Sequence, residues 1–168
     1  MVGSLHCEPG TRPGSSQVPN QKGNHMPLNE PVLTGPGAGR TVTYGNGSSA
    51  ELKVVGEQDG GDWSVVEWRV RAGDEPPLHT HTREDEMLYV LEGTITAYVG
   101  DQRFDVEAGS YAALPKDVPH GLSVQGDEAR LLVTLQPAGA EYLLVPRDDD
   151  DADPARFGIV LHESAPAV

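Results

Sequence analysis

From Arg40 onward, apolar and polar positions alternate with a period of two over short stretches separated by turn residues, the pattern of half-buried β-strands rather than helices. The pattern predicts strands over Arg40–Tyr44, Glu51–Val55, Trp63–Arg71, Met87–Leu91, Thr94–Val99, Gln102–Val106, Tyr111–Leu114, Gly121–Val124, Arg130–Gln136 and Tyr142–Val145. In Trp63–Arg71, Ser64, Val66, Trp68 and Val70 share one face. Turn signals fall between the runs at Asp59-Gly60-Gly61-Asp62, Glu92-Gly93, Gly100-Asp101, Ala108-Gly109 and Gly126-Asp127. Many short strands at near-regular spacing predict an all-β sandwich or barrel. Further on, Asp153-Pro154 can cap and start a short helix, and Phe157–Leu161 reads as a last strand.

The flanks read differently. Residues 1–40 hold seven Gly, six Pro and three Ser with no sustained apolar period, so they predict a flexible, largely disordered arm. Met26 offers a second plausible start within it. Asp148–Asp151 and Asp153 form an acidic run that lacks the spacing of a calcium loop and predicts a solvated linker. The expected organisation is therefore an arm over 1–40, a barrel over 41–146, and a linker, short helix and strand over 147–168.

Charge narrows the partners. The 168 residues carry 12 Lys and Arg against 26 Asp and Glu, a formal charge of -14, which repels phosphate and argues against nucleic acid and anionic membranes. No apolar run is long enough to span a bilayer, and the first 30 residues lack the apolar stretch of a secretory signal, so a cytoplasmic protein is expected. The single cysteine, Cys7, excludes an internal disulfide framework and a cysteine zinc cluster.

Three of the six histidines fall in the strand-rich region. His79 and His81 are two apart, and in an extended segment residues i and i+2 point to the same face, which sets two imidazoles side by side. Glu86 follows just before an apolar run, and His120 precedes another. Three imidazoles and a carboxylate suit Fe, Mn, Co, Ni, Cu or Zn, and ligand type alone does not choose among them.

The surrounding residues carry a resemblance. Gly73-Asp-Glu-Pro-Pro-Leu-His79-Thr-His81-Thr-Arg-Glu-Asp-Glu86-Met-Leu-Tyr-Val-Leu-Glu-Gly93 matches the first cupin motif, G-x5-H-x-H-x3–4-E-x6-G. Gly109, Pro115 and His120 match part of the second, G-x5-P-x-G-x2-H-x3-N, with Asp117 in place of the middle Gly and Val124 in place of the final Asn. The chain resembles a small single-domain cupin, similar to quercetin 2,3-dioxygenase-like proteins, over about residues 50–145. The resemblance implies a double-stranded β-helix, or jelly-roll barrel, and a divalent transition metal held by His79, His81, Glu86 and His120. It also implies that Glu86 doubles as the acceptor of a substrate hydroxyl proton.

Parity extends the site. Leu88 and Leu122 lie two residues from a ligand and are expected to line the pocket, with Trp68 and Val66 as neighbours. An apolar wall beside a metal suits a flat, oxygenated aromatic better than a sugar phosphate. Three functions follow: an oxygenase on a flavonol- or polyketide-like enol, a non-oxidative cyclase, isomerase or decarboxylase, or a metal-bearing binding protein. Barrel edges that need cover predict a homodimer, with part of residues 26–50 reaching the neighbour.

Overall fold

Two strands much longer than the alternation suggests organise the protein. The structure is a computed structural model describing residues 31–58, 60–147 and 153–163. Strand β5 (Asp85–Val99) and strand β8 (His120–Gln136) pair antiparallel from Asp85↔Gln136 to Val99↔His120. The sequence divides each into two strands, at Glu92-Gly93 and at Gly126-Asp127. The chain instead runs on through both points, because a glycine at positive φ can bend a paired strand as well as end one. Gly93 (φ 81) and Gly126 (φ 91) mark the bend, and the register shifts there, between Val90 and Thr94.

Since both strands bend together, one antiparallel sheet folds into two facing layers. The first half of β5 and the second half of β8 lie between β3 (Ser64–Arg71) and β7 (Tyr111–Leu114), with β2 (Ser49–Val54) and β1 (Thr41–Thr43) beyond β3. The other halves lie between β6 (Gln102–Glu107) and β4 (His79–His81), with β9 (Ile159–Leu161) beyond β4. This is the all-β jelly-roll arrangement, and among the described residues its edges are β1, β7, β6 and β9.

The inner faces form the core. Val66, Val133 and Leu88 stand in register across β3, β8 and β5, as do Trp68, Leu131 and Val90, and all six are buried. Ile95, Ala97, Val106 and Leu122 continue the core on the second layer. Each large side chain buried this way contributes about 1.5–3 kcal/mol relative to exposure, so the fold rests on apolar strand faces.

Two further parts of the sequence reading change. Tyr142–Val145, expected as a strand, lies in and just after a one-turn helix, α1 (Glu141–Leu144). The cause is Glu141, 1% exposed, whose carboxylate accepts from the backbone N–H of Gly56 and Gly139 and from Ser64 Oγ. That anchor fixes the entry to the segment, and Val145 N–H closes the turn on Glu141 O. Residues 34–40, grouped with the arm by composition, are tied to β2: Thr34 Oγ1 donates to Lys53 O, and the N–H groups of Gly37 and Gly39 donate to the Glu51 carboxylate. Residues 1–30 and the acidic run at 148–151 lie outside the described residues. The end of the chain agrees with the pattern. Asp153 caps a 3-10 turn at Pro154–Phe157, which leads into β9. Among the described residues, no helix is long and apolar enough to cross a membrane.

Candidate metal centre

β4 lies between β8 and β9, with His79 opposite both His120 and Leu161 and His81 opposite Ile159. Its extended backbone turns both imidazoles inward. The next residues are fastened to the C-terminal turn, Thr82 Oγ1 donating to Gly158 O and Arg83 Nη1 to Arg156 O. The chain then enters β5, where Glu86 stands between Leu135 and Leu114.

His120 arrives through a turn at Asp117, which adopts φ 63 and donates its N–H to His81 O at 2.8 Å. Aspartate is among the few residues that accept this left-handed conformation, so it serves where the motif has glycine. Where Val124 replaces the motif's asparagine, its backbone N–H donates to Glu75 Oε1 at 2.7 Å. The strand thereby gains a polar tie from the segment that leads to β4.

The three ring Nε2 atoms and the Glu86 carboxylate converge, with one donor atom from each of the four residues within 4.8 Å of the others. Glu86 Oε2 lies 3.3 Å from His81 Nε2, 3.3 Å from His120 Nε2 and 4.0 Å from His79 Nε2. The opposite ring nitrogens are occupied: His79 Nδ1 meets Pro77 O and His120 Nδ1 meets Val118 O, each at 2.9 Å. A carbonyl only accepts, so Nδ1 carries the proton and Nε2 presents its lone pair to the centre. His79 Nε2 and His81 Nε2 are 3.1 Å apart, and His120 Nε2 is buried without an aligned hydrogen-bond partner. Lone pairs brought this close need a proton or a cation among them, and three imidazoles with a carboxylate fit a divalent transition metal.

The electrostatics of these side chains agree with this. Burial disfavours a charged His81, but Glu84 and Glu86 on either side of its ring outweigh burial and push its pKa up to about 9. Burial raises Glu86, yet the rings of His120 and His81, each 3.3 Å from its Oε2, hold its carboxyl far below the usual range. Burial keeps His79 below the ordinary histidine value.

The four side chains form one side of a cavity of about 320 Å³. Trp68, Leu88 and Leu122 line it. Val66 does not, which corrects its expected place. It shares Trp68's face, but in its ladder the cavity is lined by Val133 and Leu88, which stand on β8 and β5, nearer Glu86. Leu143 and Leu144 of α1 and Ile159 and Leu161 of β9 also line it. Sequence reasoning missed them because they follow the main strands in the chain. It also missed Glu84, 2% exposed, whose Oε2 lies 3.4 Å from His81 Nδ1. The signal was present: Glu84 and Glu86 are two apart, like His79 and His81.

Comparison with known proteins agrees with this geometry. Residues 66–135 match the family described as Cupin domain. Over 102 residues, 61% of the chain, the sequence is 28% identical to quercetin 2,3-dioxygenase of Bacillus subtilis (strain 168) and spans 30% of that protein's length. Among solved structures, an RmlC-like cupin from Shewanella frigidimarina superposes with a TM-score of 0.56 at 22% identity, covering 70% of this chain and 99% of the other. KdgF from Halomonas sp. gives 0.53 at 16% identity, covering 60% and 90%. At these identities the structural likeness speaks to the fold. The motif residues and the folded sheet agree with the matched domain: residues 66–135 carry a cupin domain.

Proposed function

We propose that the protein is a metal-dependent oxygenase acting on a small oxygenated aromatic, flavonol- or polyketide-like in presenting an enol or phenol oxygen. One observation carries this reading. Among the described residues, the cavity is walled by Trp, Leu, Val, Ile, Pro, Ala and Gly, and apart from the Trp68 indole its polar side chains are His79, His81, Glu86 and His120. A sugar or phosphate would leave its polar groups unpaired against that wall, whereas a flat ring with one oxygenated edge would not. The similarity to quercetin 2,3-dioxygenase supports the same substrate class.

His79, His81, Glu86 and His120 would hold the metal, which when bound supplies Lewis acidity and redox chemistry. The chain's own groups do the rest. Trp68, Leu88 and Leu122 bind the ring and exclude water. Glu86 takes the substrate hydroxyl proton on a carboxylate oxygen. O2 is the co-substrate, and because both of its atoms enter the product no outside reductant is needed.

The test is O2 uptake by protein loaded with each metal, against a panel of flavonols and enolic polyketide fragments. Uptake matching product one for one is expected. Product formed equally fast without O2 would replace this reading with a cyclase, isomerase or decarboxylase. Binding without any product would leave a metal-bearing binding protein.

A further inference from the structure

Four residues converge on the centre, but a fifth ionisable group stands directly behind them. We infer that Glu84 is a positioning residue for the metal: its buried carboxylate fixes the ring of His81 and supplies the second negative charge that balances a divalent ion. The inference rests on the metal centre alone and not on the oxygenase reaction.

Glu84 is turned inward by its neighbours. Exposure alternates along Arg83, Glu84, Asp85 and Glu86, with the two glutamates buried. Arg83 is held outward by Arg156 O, and Asp85 Oδ1 accepts from Lys116 N–H. The loop before α1 covers Glu84 so closely that a Cβ on Gly139 would lie 3.2 Å from Glu84 Oε1. Glu141 fastens that loop through Gly139 N–H.

Among the described residues, the basic side chain within ion-pair distance of this carboxylate is His81, its Nδ1 3.4 Å from Glu84 Oε2, and neither atom has another aligned partner. His79 and His120 lean on neutral carbonyls, so His81 differs from them in having a charge behind it. A carboxylate at Nδ1 keeps the proton there, leaves Nε2 as the donor and makes the ring a stronger ligand. With three neutral imidazoles, Glu84 and Glu86 together neutralise a divalent ion. A buried site so balanced holds the ion more tightly than one left with net charge.

Zn2+ and Co2+ affinities, measured by chelator competition without substrate, test this on wild type, Glu84→Gln and Glu84→Leu. Gln retains an acceptor for Nδ1–H and removes only the charge. Glu84→Gln is expected to bind about 10-fold and Glu84→Leu about 100-fold more weakly than wild type, the range for loss of such a partner. The visible spectrum of the Co2+ form should shift in Glu84→Gln while its far-UV circular dichroism stays unchanged, which a merely structural role would not produce. Glu84→Gln folded and binding within about twofold of wild type would overturn the inference, and it decides alone if Glu84→Leu fails to fold. A wild type that binds neither ion would overturn the metal centre as a whole. Whether O2 is consumed bears on neither outcome.

Discussion

His79 and His120 stand directly opposite each other in the β4–β8 pairing, ring centroids 4.7 Å apart, and each rests its Nδ1 on the carbonyl two residues before it. The same local device appears on two strands distant in the chain. Backbone register sets the spacing of the rings, and backbone carbonyls set which nitrogen is free. The centre is therefore built into the sheet and does not depend on a mobile loop.

Removing one ring should empty the site and spare the fold. His120→Ala and His81→Ala are each expected to retain less than about a tenth of an equivalent of metal after gel filtration, because tight binding needs the full ligand set. Their far-UV circular dichroism should match wild type, since stability comes from the apolar ladders. Retention of a full equivalent by either variant would refute the ligand assignment.

The metal-free protein should respond to pH through His81. Its pKa is pushed up to about 9 in the folded chain, against about 6.5 when unfolded. A pKa raised by folding gives stability in full below the unfolded value and loses it as pH climbs through the folded one. Urea midpoints should therefore fall between pH ~6.5 and ~9 in wild type and change less in His81→Gln. Metal has to displace the same proton, so Zn2+ affinity should rise with pH across this window by up to about tenfold per unit. Equal slopes in wild type and His81→Gln would sink the claim.

Much of this was legible in the sequence because period-two alternation reports which side chains share a face. It gave the inward row of β3 and the His79–His81 pair directly. It could not distinguish a turn from a bend. Glu92-Gly93 looks like the end of a strand, yet the chain continues because β8 bends beside it. Nor could it show that Glu141, inserted among Gly56, Ser64 and Gly139, would override the strand propensity of Tyr142–Val145. Face is also not reach: Val66 and Trp68 share a face, and Trp68 alone meets the cavity.

The bend at Gly93 is a test of that account. A side chain there would adopt φ 81 and place its Cβ 2.7 Å from Glu128 O. Gly93→Ala should cost about 2 kcal/mol or more, read as a lower urea midpoint. An unchanged midpoint would mean that the strand does not depend on glycine at this point.

The edge beside β7 makes a prediction about assembly. Tyr89 and Tyr111 are registered partners across β5 and β7, 39% and 61% exposed, with Leu132 opposite Tyr89 on the other side. An open edge flanked by exposed aromatics is a surface that a second copy would cover. Light scattering should give twice the chain mass of 17.9 kDa, and Tyr111→Lys should shift it toward the monomer. A clean monomer for wild type at micromolar concentration would exclude the homodimer.

Glu86 decides whether the carboxylate is a base or only a ligand. Its Oε2 lies 3.3 Å from both His81 Nε2 and His120 Nε2, so it belongs to the donor set, and it lines the cavity where a substrate hydroxyl would arrive. Glu86→Gln keeps the size and one carbonyl oxygen but removes the charge and the basicity. If Glu86 accepts the hydroxyl proton, the variant should keep substantial metal and lose turnover by roughly 10²–10⁴-fold, the usual range for loss of a general base. If Glu86 only coordinates, turnover should follow metal occupancy across preparations. Occupancy and O2 uptake measured on the same samples separate the two cases. Losses in constant proportion would remove the base role, and with it the mechanistic parallel to flavonol cleavage.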